Sequence, residues 1–166
     1  MQIGRRGYRW WCCFSVMGVV FLLSLFIGEN ACSASSHKIE KMAYADLNQL
    51  MTSEDGTSLL FFTAAWCGYC KAMLPTLNRL VHRFRDSGLR FIGISIDAGG
   101  PGDMERVLEK KPVNFSVFWV GETVVDELNL VGIPMIFMIK NGRMVDKIPG
   151  KCSYEFLEKR IADFIQ

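Results

Sequence analysis

Thr63-Ala64-Ala65-Trp66-Cys67-Gly68-Tyr69-Cys70-Lys71 stands between an apolar run and a helical pattern. Two cysteines three apart at such a junction point to redox chemistry. A helix starting here turns its unpaired N–H groups and the positive end of its dipole toward Cys67, which favours the thiolate. Cys67 is therefore the candidate nucleophile. Cys70, one turn further on, shares its helix face and is placed to close a small disulfide with it.

The flanking pattern extends outward from that stretch. Ser58 to Thr63 (SLLFFT) reads as a strand buried on both faces, and Arg90 to Asp97 (RFIGISID) as a second. Between them Lys71 to Asp86 carries Met73, Leu74, Leu77, Leu80, Val81 and Phe84 at helical spacing, with Pro75 inside the pattern as the source of a kink. His37 to Met51 is a helix by the same test. After the turn Ala98 to Gly102, Asp103 is expected to cap a short helix through Lys111, and Phe115 to Val120 forms a strand. Thr123 to Leu130 is helical. Asn141-Gly142 joins Met135 to Lys140 and Arg143 to Ile148 as a hairpin, and Ser153 to Ile165 is an amphipathic closing helix. Alternation followed by a hairpin implies an α/β layer fold with a mixed sheet and helices on both faces.

The chain has 166 residues, one domain's length, and much of the excess in its 50% hydrophobic content lies at the front. Arg5, Arg6 and Arg9 precede an uncharged run from Trp10 to Ile27. That is either an export signal or a single membrane anchor, with the N-terminus cytoplasmic and the remainder outside. Cleavage after Ala34 puts Cys32 and Ala34 at the two small-residue positions, so residues 1–34 are the expected leader and 35–166 the domain. Gly28-Glu29-Asn30-Ala31 before Cys32 lacks the aliphatic residue of a lipoprotein signal. Taking Arg5, Arg6 and Arg9 from 19 basic residues and Glu29 from 17 acidic ones leaves 16 of each in the exported part. Its net charge of zero gives no argument for a nucleic-acid partner. Export also means an oxidising compartment, in which a cysteine pair needs a dedicated redox partner.

Together these residues resemble the thioredoxin fold: a buried strand entering Trp66-Cys67-Gly68-Tyr69-Cys70-Lys71, Pro75 five residues after Cys70, Val131-Gly132-Ile133-Pro134 before a hairpin, and a closing helix. Within that fold the chain is similar to the exported TlpA-type thiol:disulfide oxidoreductases, because of the inserted helix and strand Asp103 to Val120 and the pattern Leu130-Val131-Gly132-Ile133-Pro134-Met135-Ile136-Phe137. The resemblance implies a thioredoxin-like three-layer α/β fold with a mixed central sheet, preceded by the N-terminal signal or anchor helix. It also implies a cis peptide at Ile133-Pro134, facing the cysteines and exposing the Ile133 backbone to an extended substrate.

By that resemblance Cys67 and Cys70 are the catalytic, redox-active pair, and Trp66, Gly68, Tyr69, Ile133 and Pro134 form the substrate surface. No cofactor or metal is required: a tetrahedral zinc would draw on Cys32, Cys152, His37 and His82, none in paired spacing. Partners would be proteins bearing thiols or disulfides, a redox partner of the bacterial envelope or periplasm, and the membrane if the leader is uncut. The implied role is a reductant of the cytochrome c maturation type. A disulfide oxidase or isomerase, or a redox-inert client-binding module, are the alternatives.

The chain departs from its relatives at several places. Phe61 stands six residues before Cys67, where thioredoxins carry a buried acid, and Met73 three after Cys70, where some TlpA-type relatives carry one. Both read as core filling, leaving water, a backbone group or Lys71 to take the Cys70 proton. Gly68-Tyr69 also occurs in exported disulfide isomerases, and Met135 follows the proline where the cytochrome-maturation subgroup has an acid. Potentials across the fold run from about −270 to −120 mV, roughly 7 kcal/mol for two electrons, so redox direction is not written in the motif. Cys152 is expected to be a buried or idle thiol, Cys12 and Cys13 small hydrophobes of the leader, and His82 a surface residue.

Overall fold

The computed structural model describes residues 38–166; the leader, its cleavage site, Cys12, Cys13, Cys32 and His37 lie outside them. Strand β2 (Thr57–Thr63) sets the layering. Its successive side chains point to opposite faces, yet Leu59, Leu60, Phe61 and Phe62 are all at most 1% exposed. The sheet is therefore covered on both sides.

Around β2 the described residues form β1 (Glu40–Lys41), α1 (Tyr44–Thr52), α2 (Gly68–Arg83), β3 (Leu89–Ser95), α3 (Pro101–Lys110), β4 (Ser116–Trp119), α4 (Thr123–Glu127), β5 (Met135–Lys140), β6 (Arg143–Pro149) and α5 (Tyr154–Ile165). The strand order is β1-β4-β3-β2-β5-β6. The first four are mutually parallel, β5 pairs antiparallel with β2, and β6 pairs antiparallel with β5. This is the thioredoxin-like α/β fold, with α3 and β4 as the inserted pair.

Parallel pairing of β2 with β3 requires a crossover, and α2 supplies it. Met73, Leu74, Leu77 and Leu80 of α2 are buried, while Arg79 stacks on the Tyr154 ring of α5 at 4.1 Å. Phe62 and Phe137 meet across the β2/β5 pair with ring centroids 4.8 Å apart. The hairpin turn has both central residues at positive φ, Asn141 at 52° and Gly142 at 71°, as an Asn-Gly turn requires.

Three expectations are corrected. The helix expected from His37 begins only at Tyr44, because Glu40 and Lys41 pair with Phe118 and Trp119 as an edge strand. That strand is held at its ends: the Ile39 N–H donates to Glu105 Oε1 at 2.9 Å and the Met42 N–H to the Trp119 carbonyl at 2.9 Å. The Lys71 helix starts earlier, at Gly68, because the Cys67 sulfur caps it. Asp103 does not cap α3. That helix begins at Pro101 behind Gly100 (φ 101°), and Asp103 lies in its first turn, paired with Arg106.

Candidate active site

Cys67 and Cys70 are joined as a disulfide with an S–S distance of 2.07 Å. Tertiary structure makes the two sulfurs unequal. Cys67 is 6% exposed and Cys70 0%, so only the first is within reach of another molecule. Cys67 is also the N-cap of α2, its sulfur accepting the Cys70 N–H at 3.1 Å. That donor and the open end of the helix favour negative charge on this sulfur once the disulfide is reduced. The first turn of α2 contains no acid and is followed directly by Lys71. Nothing anionic in that turn opposes the thiolate.

The loop from Ala64 to Cys67 is fixed by hydrogen bonds to the strand ends beneath it. The Cys67 N–H donates to the Ala64 carbonyl at 3.0 Å, and the Ile96 N–H to the Thr63 carbonyl at 3.0 Å. Asp97, 1% exposed at the end of β3, holds the next link. Its two carboxyl oxygens accept the Ala65 N–H at 2.9 and 3.1 Å, and Oδ2 also accepts the Ser95 hydroxyl at 2.8 Å. Its carbonyl accepts the indole N–H of Trp119 at 2.7 Å, so β4 is tied into the same junction. The sequence pattern alone does not place Asp97 in the site. The signal for it is an acid ending a buried apolar strand, whose charge needs donors that the strand itself does not supply.

Phe61 and Met73 are 1% and 0% exposed and fill the core, as expected. Trp66 and Tyr69 stand out from the disulfide at 69% and 68% exposed, and Gly68 is exposed between them. The β2/β5 register pairs Phe62 with Met135, which sets Ile133-Pro134 beside the chain leaving β2. The Ile133–Pro134 peptide is cis. Trp66, Gly132 and Ile133 line one apolar groove of about 280 Å³ with Ile96, Val125 and Leu130. Thus the two stretches 66 residues apart in the sequence meet at one surface. Val131, 90% exposed, adds a further apolar side chain to that loop.

Cys152 is a free, half-buried thiol whose Sγ lies 3.5 Å from the Gly150 carbonyl, and burial raises its pKa. His82 is exposed. Among the described residues no helix is long and apolar enough to cross a membrane.

This fold, with a disulfide capping the first helix after the central strand, is similar to that of the thioredoxin-like thiol:disulfide oxidoreductases. The chain belongs to the AhpC/TSA family, whose pattern matches residues 29–148. It is 31% identical to Thioredoxin H8 of Arabidopsis thaliana over 75% of this chain and 62% of that one. It is 24% identical to the thiol-disulfide oxidoreductase ResA of Oceanobacillus iheyensis, over 82% and 72% respectively. Among solved structures, a candidate thiol:disulfide interchange protein DsbE from Chlorobium tepidum superposes with a TM-score of 0.64 at 24% identity, covering 71% of this chain and 84% of its own. The chain spans less than two thirds of the length of Thioredoxin H8, and 16% of a mitochondrial thioredoxin domain-containing protein of Schizosaccharomyces pombe.

Proposed function

We propose that this chain exchanges disulfides with protein substrates outside the cytoplasm, acting as a reductant of the cytochrome c maturation type. The observation that carries the exchange chemistry is the asymmetry of the pair: Cys67 reachable and capping α2, Cys70 sealed behind it. In the reduced protein the Cys67 thiolate attacks one sulfur of a substrate disulfide and displaces the other as a thiolate. A mixed disulfide results. Cys70, losing its proton, then attacks Cys67, and the second substrate sulfur leaves with the electron pair. The substrate gains two electrons and the Cys67–Cys70 bond is restored.

Trp66, Gly68, Tyr69, Ile133 and Pro134 would hold the substrate, its extended backbone lying along Ile133 and its apolar side chains entering the groove behind Trp66. Export is supported by Arg5, Arg6 and Arg9 ahead of the uncharged Trp10 to Ile27, with residues 1–34 as signal or anchor and 35–166 as the working domain. The likeness to the thiol-disulfide oxidoreductase ResA and the thiol:disulfide interchange protein DsbE supports the exchange chemistry, and the reductant direction, with an envelope protein as electron donor, completes the proposal.

The test is a redox titration. The purified protein is equilibrated in glutathione buffers of graded potential, the Cys67–Cys70 state is read by alkylation and mass, and insulin reduction by dithiothreitol is followed alongside. A reversible two-electron couple at the reducing end of the family interval, near about −270 mV, supports the reductant. A couple near about −120 mV assigns an oxidase instead. No reversible couple and no insulin reduction would remove the activity.

A further inference from the structure

A second groove, of about 460 Å³, opens on the other side of Trp66. Its charged lining is Lys71, Arg106, Lys110 and Lys111 against Asp97 and Asp103. Both acids are engaged already. Asp97 accepts from Ala65 and Ser95 beneath the surface, and Asp103 pairs with Arg106. Among the described residues none of the three lysines is paired with a carboxylate. Three ammonium groups therefore share one groove beside Trp66, the residue before Cys67, without a partner of their own.

Local helix energetics do not account for the cluster. Lys110, in the last turn of α3, suits that helix's dipole, but Lys71 sits next to the first turn of α2, at the positive end, where a cation is unfavourable. General basicity does not account for it either, because residues 35–166 carry 16 basic and 16 acidic side chains. Nor is the groove an accident of a loose tail. Asn78 of α2 donates to the Pro112 carbonyl at 2.9 Å and accepts the Asn114 N–H at 3.0 Å, which locks the segment following Lys110 and Lys111 onto the helix that carries Lys71.

We propose that this groove binds an acidic segment of the client polypeptide adjacent to the client's disulfide. The inference rests on the disulfide-exchange reading and adds the charge of the substrate to it. An extended client lying across Trp66 would set apolar side chains in the groove toward Ile133 and carboxylates among Lys71, Lys110 and Lys111. Each ion pair is exposed and modest, but several act together and draw the client toward Cys67.

The test uses the full chain, reduced, mixed with two cyclic disulfide peptides that differ only in three flanking residues, Asp/Glu in one and Asn/Gln in the other. Each turnover consumes the protein dithiol and the peptide disulfide in equal amounts, so the second-order rate constant is read directly. The acidic peptide should react about tenfold faster at low salt, the scale expected of a few exposed ion pairs acting together. The preference should fall below about twofold near 0.5 M salt, where screening is strong. The double variant Lys110→Glu, Lys111→Glu should lose or invert it, and Lys159→Glu, outside the groove, should keep it. Equal rates for both peptides, or a preference that survives the double variant, would overturn the groove assignment alone. Failure to reduce either peptide would overturn the exchange reading and this inference with it.

Discussion

The carboxyl group of Asp97 accepts the backbone N–H of Ala65 through both oxygens, at 2.9 and 3.1 Å. Ala65 lies two residues before Cys67, so an acid just past the end of β3 holds the loop that delivers Cys67 to the start of α2. The Ser95 hydroxyl, at 2.8 Å, completes the group's surroundings. Thioredoxin-type relatives put an acid on the central strand, and here Phe61 occupies that place in the core. The buried acid of this chain lies two residues past the end of the neighbouring strand and faces the loop.

Removing that anchor should be costly. Asp97→Ala leaves the Ala65 N–H and the Ser95 hydroxyl without their acceptor and should lower stability by about 2–3 kcal/mol. Asp97→Asn keeps one acceptor oxygen and should lose about 1 kcal/mol. Urea unfolding of the oxidised proteins reads both. A wild-type midpoint for Asp97→Ala would show that the carboxyl is not what holds the loop.

The hairpin offers a prediction about backbone. A Cβ on Gly142 would stand 2.6 Å from the Thr52 carbonyl oxygen, at a residue whose φ is 71°. Both the left-handed conformation and the contact oppose a side chain, and the obstacle is backbone that cannot swing away. Gly142→Ala should destabilise the protein by more than about 2 kcal/mol in thermal or urea unfolding, whereas an alanine in place of exposed Gly68 meets nothing within 4 Å.

Cys152 should be chemically quiet. Burial raises its thiol pKa above the ordinary 9.0, so at pH 8 little of it is thiolate. In the reduced protein, iodoacetamide at pH 8 should label Cys67 well before Cys152, with tryptic mass spectrometry giving the order. Labelling of Cys152 at the rate of Cys67 would contradict the reading.

Glu155 supplies a pH dependence. Its own backbone N–H, and then the Ser153 hydroxyl, hold its carboxyl below the ordinary 4.5 at the start of α5. A depressed folded pKa means stability that is present above the unfolded value and is lost as pH falls through the folded one. The difference in Tm between the wild type and Glu155→Gln should therefore be present at pH 6 to 7 and vanish in acid below the depressed value. A difference that grows on acidification would reverse the sign.

The features legible in the sequence share a short range. The apolar run entering Cys67, the Asn141-Gly142 turn and the periodicity of Ser153 to Ile165 are each written within a dozen residues, and each stands where the pattern puts it. Strand β1 was hidden because its two residues, Glu40 and Lys41, are charged and exposed, and only their pairing with β4 makes them a strand. Asp97 read as the last letter of a strand, since the N–H that it serves lies 32 residues away. The basic groove was equally hidden. Lys71 and Lys110 are ordinary helix residues until the fold brings them to the lining of one groove.

Cysteine trapping tests the central claim most directly. On the proposed mechanism Cys67 meets the substrate and Cys70 resolves, so Cys70→Ser, incubated with a disulfide-bearing protein, should accumulate a mixed disulfide through Cys67, visible as a non-reducing shift that dithiothreitol removes. Cys67→Ser should accumulate none. A trapped complex through Cys70 in the Cys67→Ser protein, or none in the Cys70→Ser protein, would contradict the assignment.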